Sequence, residues 1–264
     1  MPIGDFEREV LRVIAANRNP DSFVGGGTVL NQSSASPRAS EDIDVFHDAE
    51  LSLRLSMEAD VQTLSAAGYD VDVVSATRTF VRATTRRGGL QTKIEWVTDS
   101  PFRFFPVEPD LDLGWRLSFW DAATNKVLAL AGRSAARDYL DILYLHDRHL
   151  SFGALVWAAA AKDPGLTPEL IVQLARRNSK YRPEHFDEVR LSEPIDVRAL
   201  KRRFLEAADT AEALFEALPP DELGCFYLDA QGRPVNPDPA ASEFASLRRH
   251  YGSVKGAWPS IVED

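Results

Sequence analysis

Two short segments constrain this chain more than any other feature: Phe23-Val24-Gly25-Gly26-Gly27-Thr28 and, fifteen positions after Gly27, Asp42-Ile43-Asp44. Three successive glycines weaken a helix or strand interior, so they mark a turn. Apolar residues before them and Thr28-Val29-Leu30 after them predict a strand, a glycine turn and a helix. A polar, serine-rich loop from Gln32 to Ser40 follows, and then Ile43, Val45 and Phe46 are interleaved with Asp42, Asp44 and His47. That alternation predicts a strand with one acidic face. On such a strand Asp42 and Asp44 point the same way, and two unpaired carboxylates so close repel each other. A divalent cation relieves the repulsion, and oxygen ligands favour magnesium or manganese over zinc. The bland reading is a pair of surface carboxylates on an edge strand.

Periodicity organises the rest. Apolar residues at helical spacing (Phe6, Val10, Leu11, Val13, Ile14) stop at Asn19-Pro20. A second helical stretch, Leu51 to Ala67, ends at Gly68. Three strand-like stretches come next: Tyr69 to Ala76, Thr79 to Thr85 and Leu90 to Val97, the last two joined by Arg87-Gly88-Gly89. Asp99 to Gly114 reads as irregular and Trp115 to Phe119 as a last strand. Beyond it the pattern is helical: Ala122 to Leu130, Ala135 to His146, Phe152 to Ala161, Pro168 to Arg177 and Val197 to Leu218. A less regular tail, with Asn236-Pro237-Asp238-Pro239, precedes an expected final helix. The expectation is an α+β protein: a mixed sheet flanked by helices over residues 1–118, then a mainly helical domain over 119–264.

Composition excludes several classes. The 40 acidic residues against 30 basic ones, a net charge of -10, argue against a uniform positive field that holds nucleic acid. A single cysteine, Cys225, allows no internal disulfide and no thiolate metal cluster, and reads as a small buried apolar residue. The start of the chain carries early acidic residues and no unbroken apolar core, and the longest apolar run, Phe152 to Ala161, is too short to span a bilayer. The expectation is a cytoplasmic protein without a membrane partner. No Gly-Lys-Ser/Thr follows the glycines and no GxGxxG is present, so kinase and dehydrogenase readings lose support.

The run GGGTVLN…RASEDIDVF resembles the first motif of the polymerase-beta-type nucleotidyltransferase superfamily, and within it the AbiEii/AbiGii (MenT-like) toxin family. KIEWV resembles that family's second motif, a strand with an acidic residue. DAATNKVLALAGRSAARDYLDILYL resembles its third and fourth, a lysine on a helix followed by Arg-Asp-x-x-Asp. The resemblance spans about Phe23 to Leu145. It implies a nucleotidyltransferase in which Gly26, Gly27 and Thr28, with Arg38 and Ser40, bind the nucleotide. It gives Asp42 and Asp44 the magnesium ion, with manganese as a substitute, and places Glu95 as a third metal ligand. Lys126 would contact phosphate and Asp138 would complete the catalytic set. Implied partners are a nucleoside triphosphate, an RNA acceptor such as the 3′ end of transfer RNA, and a cognate antitoxin.

The downstream residues also have readings of their own. Lys126 and Arg133, seven apart on a helical pattern, share a face and could neutralise a triphosphate. Isolated cations on helices more often face solvent. Arg137 and Asp141 are spaced for an intrahelical ion pair, with Asp138 facing elsewhere. Two basic stretches could meet a phosphate backbone: Arg78, Arg82, Arg86, Arg87 and Lys93, and nine cations against five acids between Arg176 and Arg203. Each could equally be a solvated face with ion pairs. His47, His146 and His149 lack zinc-site spacing and read as hydrogen-bonded or solvent-facing side chains. Two further functions stay open: transfer to a cationic small molecule of the aminoglycoside kind, and a nucleotide-binding module without turnover.

Overall fold

The computed structural model describes residues 3–33 and 35–259. The chain forms two compact units: Met1–Pro101 with Pro106–Ala122, and Phe102–Phe105 with Ala123–Asp264.

The first unit opens with α1 (Asp5–Ile14), whose Phe6, Val10, Leu11 and Ile14 are buried. β1 (Ser22–Val24) and the short helix α2 (Gly26–Leu30) flank the glycine turn, and β2 (Asp42–His47) carries the acidic pair. The long helix α3 (Glu50–Ala66) precedes β3 (Asp70–Ala76), β4 (Phe80–Arg87) and β5 (Leu90–Thr98). β6 (Phe102–Arg103) is assigned to the second unit, after which β7 (Glu108–Asp110) and β8 (Gly114–Arg116) complete the sheet. Seven strands lie in the order β3-β4-β5-β2-β1-β8-β7. The β2–β5 and β1–β8 pairs are parallel and the others antiparallel, so the sheet is mixed as the patterning predicts.

Two expectations change here. The Asp99 to Gly114 stretch holds β6 and β7, strands too short for a period of two to register. The strand expected over Trp115 to Phe119 is β8, which ends at Arg116 and is not the last, and Phe119 already belongs to α4 (Phe119–Gly132). Ser118 sets that boundary. Its hydroxyl accepts from Asp121 N at 3.1 Å and donates to Asp121 Oδ2 at 2.9 Å, a reciprocal cap of the kind that fixes a helix start.

The second unit is mainly helical. α4 continues into it and is followed by α5 (Ala136–Arg148), α6 (Phe152–Ala159), α7 (Pro168–Asn178) and α8 (Val197–Ala217). Side-chain caps fix three starts: Ser151 on α6, Thr167 on α7 and Asp196 on α8. α6 is apolar throughout and wholly buried, and Gly153 lets it approach the backbone of Ala211 on α8. Among the described residues, the tail after Pro239 does not form the expected helix. A 3₁₀ turn (Ser242–Ser246) leads to β10 (Arg248–Tyr251), which pairs antiparallel with the buried β9 (Cys225–Leu228), and β11 (Ser253–Val254) pairs with β6. Cys225 is buried, and burial first, then Glu222, pushes its thiol up to about 12, so it stays protonated and inert. No helix among the described residues is long and apolar enough to cross a membrane.

Candidate active site

β2 lies inside the sheet, antiparallel to β1 and parallel to β5. Its alternation is complete: Ile43, Val45 and His47 are fully buried, while Asp42 and Asp44 keep partial exposure on the opposite face. The two carboxylates therefore share a face, as expected.

Each glycine of the turn meets a different neighbour. Gly25 donates its N–H to Asp44 O at 3.0 Å, and a Cβ there would lie 2.6 Å from the Phe46 ring. Gly26 has φ +61, a left-handed conformation, and a Cβ on it would overlap the Asp44 carboxylate. A Cβ on Gly27 would come within 2.8 Å of Arg38 Nη2 and 3.2 Å of Ser40 Oγ. The turn is thus moulded around Asp44. Gly26, Gly27 and Thr28 open α2, so their N–H groups have no acceptor within that helix.

The side chains expected beside the nucleotide are turned inward. Thr28 is 1% exposed, donates to Asp42 O at 3.1 Å and lies 3.3 Å from Ser40 Oγ. Ser40 donates to the same carbonyl at 3.4 Å, and the buried Arg38 donates to Ala39 O at 3.0 Å. These contacts tie α2 to the start of β2 and so hold Asp42 in place.

Glu95 stands in register with Asp44, but it is held by Arg82, whose Nη2 is 2.7 Å from Glu95 Oε1. Lys93, in register with Asp42, approaches its carboxylate at 3.5 Å. Among the described residues no group of three His, Cys, Asp or Glu side chains is arranged to hold a metal ion. Glu95 is nevertheless the acidic residue that the neighbouring strand sets in register with Asp44. Two adjacent oxygen donors on one face still fit a hard divalent cation, which keeps most of its shell as water when protein ligands are few.

A buried polar network lies behind β2, and patterning missed it. Arg18 and Asp60 form a fully buried ion pair. Asp60 also accepts from Trp96 Nε1 at 2.8 Å and Asn17 Nδ2 at 2.9 Å. Arg18 donates to Ser22 Oγ at 2.9 Å, which lies 3.1 Å from His47 Nε2, and His47 Nδ1 meets Val97 O at 3.3 Å. Burial, then the charge of Arg18, lowers His47 to about 4, so it is neutral at pH 7. The network pins the end of β2, as Thr28 and Ser40 pin its start.

In the second unit, Lys126, Arg133, Asp138 and Asp141 converge. Lys126 Nζ lies 2.7 Å from Asp138 Oδ1 and 3.1 Å from Asp141 Oδ2. Arg133 Nε lies 2.7 Å from Asp138 Oδ2. Asp138 is fully buried, Lys126 is 7% exposed and the Arg133 side chain is 53% exposed. Burial alone would raise Asp138, but Lys126 and Arg133 outweigh it and bring the carboxyl down to about 2. Asp141, spaced for a pair with Arg137, meets Lys126.

The first basic stretch is neutralised within its own unit. Arg78 pairs with Glu50, Arg82 with Glu95, Arg86 with Asp70 and Asp72, Arg87 with Glu9 and Lys93 with Asp42. Of the expected histidines, His146 accepts from Phe152 N at 3.0 Å and is structural.

Comparison with known proteins bears on the fold and the family. MenT4, a nucleotidyltransferase toxin of Mycobacterium tuberculosis, aligns over 82% of this chain and 83% of its own, at 15% identity and a TM-score of 0.57. A Helicobacter pylori protein described as a nucleotidyltransferase aligns over 80% of this chain and 95% of its own, at 16% identity and a TM-score of 0.51. At these identities the likeness establishes the nucleotidyltransferase fold. No protein of curated function matches the chain. The sequence pattern of the family described as "Nucleotidyl transferase AbiEii toxin, Type IV TA system" matches residues 12–222. This chain is a nucleotidyltransferase and belongs to the AbiEii toxin family.

Proposed function

We propose that this enzyme, in the presence of magnesium, transfers a nucleoside monophosphate from a nucleoside triphosphate to a hydroxyl at the end of an RNA, transfer RNA being the leading acceptor. The observation that carries the reading is Asp44, packed into the glycine turn on the same strand face as Asp42. A glycine turn that opens a helix and touches a metal-holding carboxylate brings phosphate-binding N–H groups and the cation's ligands to one place.

In the reaction the acceptor oxygen forms a bond to the α-phosphorus, the bond from that phosphorus to the bridging oxygen of the β-phosphate breaks, pyrophosphate leaves and the hydroxyl proton is released. Asp42 and Asp44 would hold the magnesium ion, which supplies charge neutralisation at the phosphates. The N–H groups of Gly26, Gly27 and Thr28 would orient the triphosphate, while Thr28, Ser40 and Arg38 act by fixing the strand beneath it. Lys126 is assigned to phosphate, and Asp138, bonded to Lys126 and Arg133, to holding both cations in position. Most of the catalysis is then positioning and electrostatic stabilisation. The family suggests a toxin restrained by a cognate antitoxin.

The test is incubation of the protein with each labelled triphosphate, magnesium and either total RNA or a panel of aminoglycosides. Label in RNA supports the reading. Label confined to an aminoglycoside, or moved to neither acceptor, overturns it.

A further inference from the structure

The two basic stretches of the sequence meet different fates. Those of β4 and β5 and their approaches are each paired with an acid. Around the end of α7 and the start of α8, by contrast, Arg177, Lys180, Arg198, Lys201 and Arg202 are exposed and have no ion-pair partner among the described residues. Their neighbours Arg176 and Arg203 are occupied, by Asp209 with Glu212 and by Asp147.

Internal bonds of the second unit place the end of α7 and the start of α8 each beside the Lys126–Asp138 cluster. Asn178, between Arg177 and Lys180, donates to Ala131 O at 2.7 Å and accepts from Ser134 Oγ at 2.9 Å, which stitches the end of α7 to the residues on either side of Arg133. Tyr181, next to Lys180, packs on Tyr139 at 5.1 Å between ring centroids. Tyr139 in turn donates to Leu200 O in the first turn of α8, between Arg198 and Lys201. Arg198 and Arg202, four apart, share one stripe of that helix, about 6 Å from each other along its axis.

We propose that this α7–α8 surface docks the phosphodiester backbone of the RNA acceptor. The inference rests on the nucleotidyl-transfer reading above and adds where the acceptor is held. In a chain of net charge -10 a local cluster of unpaired cations marks where a polyanion can approach. Contacts of this kind position an RNA without reading its sequence.

The experiment is filter binding of end-labelled total RNA, without triphosphate, across a series of salt concentrations. The proteins are the wild type, R198E/K201E/R202E, the milder K201A/R202A and, as a control, R78E. The expected result is affinity at least ~10-fold lower for the triple variant, an intermediate loss for the double, and a salt slope smaller by roughly one per phosphate contact removed. R78E should bind like the wild type. Equal affinity and slope for the wild type and the triple variant would overturn the proposal. So would an equal loss in R78E, or displacement of RNA by polyglutamate as effectively as by unlabelled RNA, which would assign the surface to an acidic protein. Label transfer by the same proteins is measured separately. A wild type that binds RNA but moves no label sinks the functional reading, and a triple variant that binds and transfers normally sinks only the docking surface.

Discussion

Gly26 and Asp44 occupy complementary space: the Asp44 carboxylate fills the position that a side chain at residue 26 would take, with its Cγ only 2.9 Å from an ideal Cβ there. Gly26→Ala should therefore do two things. It should lose about 1–2 kcal/mol of stability from the left-handed φ, and it should displace Asp44 and lower nucleotide transfer at least ~100-fold. Gly68→Ala is the control, since Gly68 has φ +82 but nothing within 4 Å. Thermal unfolding should show a loss for both, larger for Gly26→Ala because its Cβ also collides with Asp44, and transfer should fall only for Gly26→Ala. Equal activity in the two variants would show that the turn does not shape the site.

Asp138 is bound by two cations. Asp138→Ala should lower stability by about 3–5 kcal/mol, because it leaves buried positive charge short of a partner. Asp138→Asn, which keeps an acceptor, should lose less. Its folded value of about 2 lies below the ordinary 3.8, so the wild type gains about 2 kcal/mol above pH 4 and loses it as pH falls from 4 to 2. Denaturant titrations at pH 5 and pH 3 should show about half of that loss, roughly 1 kcal/mol, in the wild type and not in Asp138→Asn.

His47 sets a separate and milder acid limit. Its folded value of about 4 lies below the ordinary 6.5, so the unfolded chain takes up the proton first. Stability should be full above pH 6.5 and fall by roughly 3 kcal/mol as pH drops to 4. His47→Gln should flatten the melting temperature between pH 7 and pH 5. A wild type with no change over that range would contradict a buried neutral imidazole.

Glu95 is held by Arg82 and stands in register with Asp44. Glu95→Gln should lower the apparent magnesium affinity less than ~10-fold, whereas Asp42→Asn should lower it far more. A magnesium titration of pyrophosphate release compares the two directly. Equal losses would make Glu95 a metal ligand on a par with Asp42.

Local rules made much of this legible. The glycine turn, the acidic face of β2, the three-stranded run from β3 to β5 and the helices of the second unit all follow from neighbours a few residues apart. What escaped depends on partners far along the chain. For the arginines between residues 78 and 87 the sequence leaves an open basic patch and a paired face equally open, and Glu50 and Glu9 from distant helices decide for the paired face. Arg18 and Asp60 are 42 residues apart and each looks like an ordinary surface charge in sequence. Thr28 and Ser40 carry hydroxyls suited to phosphate, yet the fold gives them Asp42 O as an acceptor. β10 is written Arg-Arg-His-Tyr, with no apolar alternation to announce it, and exists because β9 offers an edge.

The central claim is that Asp44 holds the chemistry of transfer and does not merely support the fold. Its most direct test is Asp44→Asn, assayed for incorporation of labelled nucleotide into RNA and for pyrophosphate release, with circular dichroism and thermal unfolding on the same samples. The expected result is a folded protein with transfer reduced at least ~1000-fold at saturating magnesium, for loss of a metal ligand. A folded Asp44→Asn protein that transfers nucleotide at the wild-type rate would contradict it.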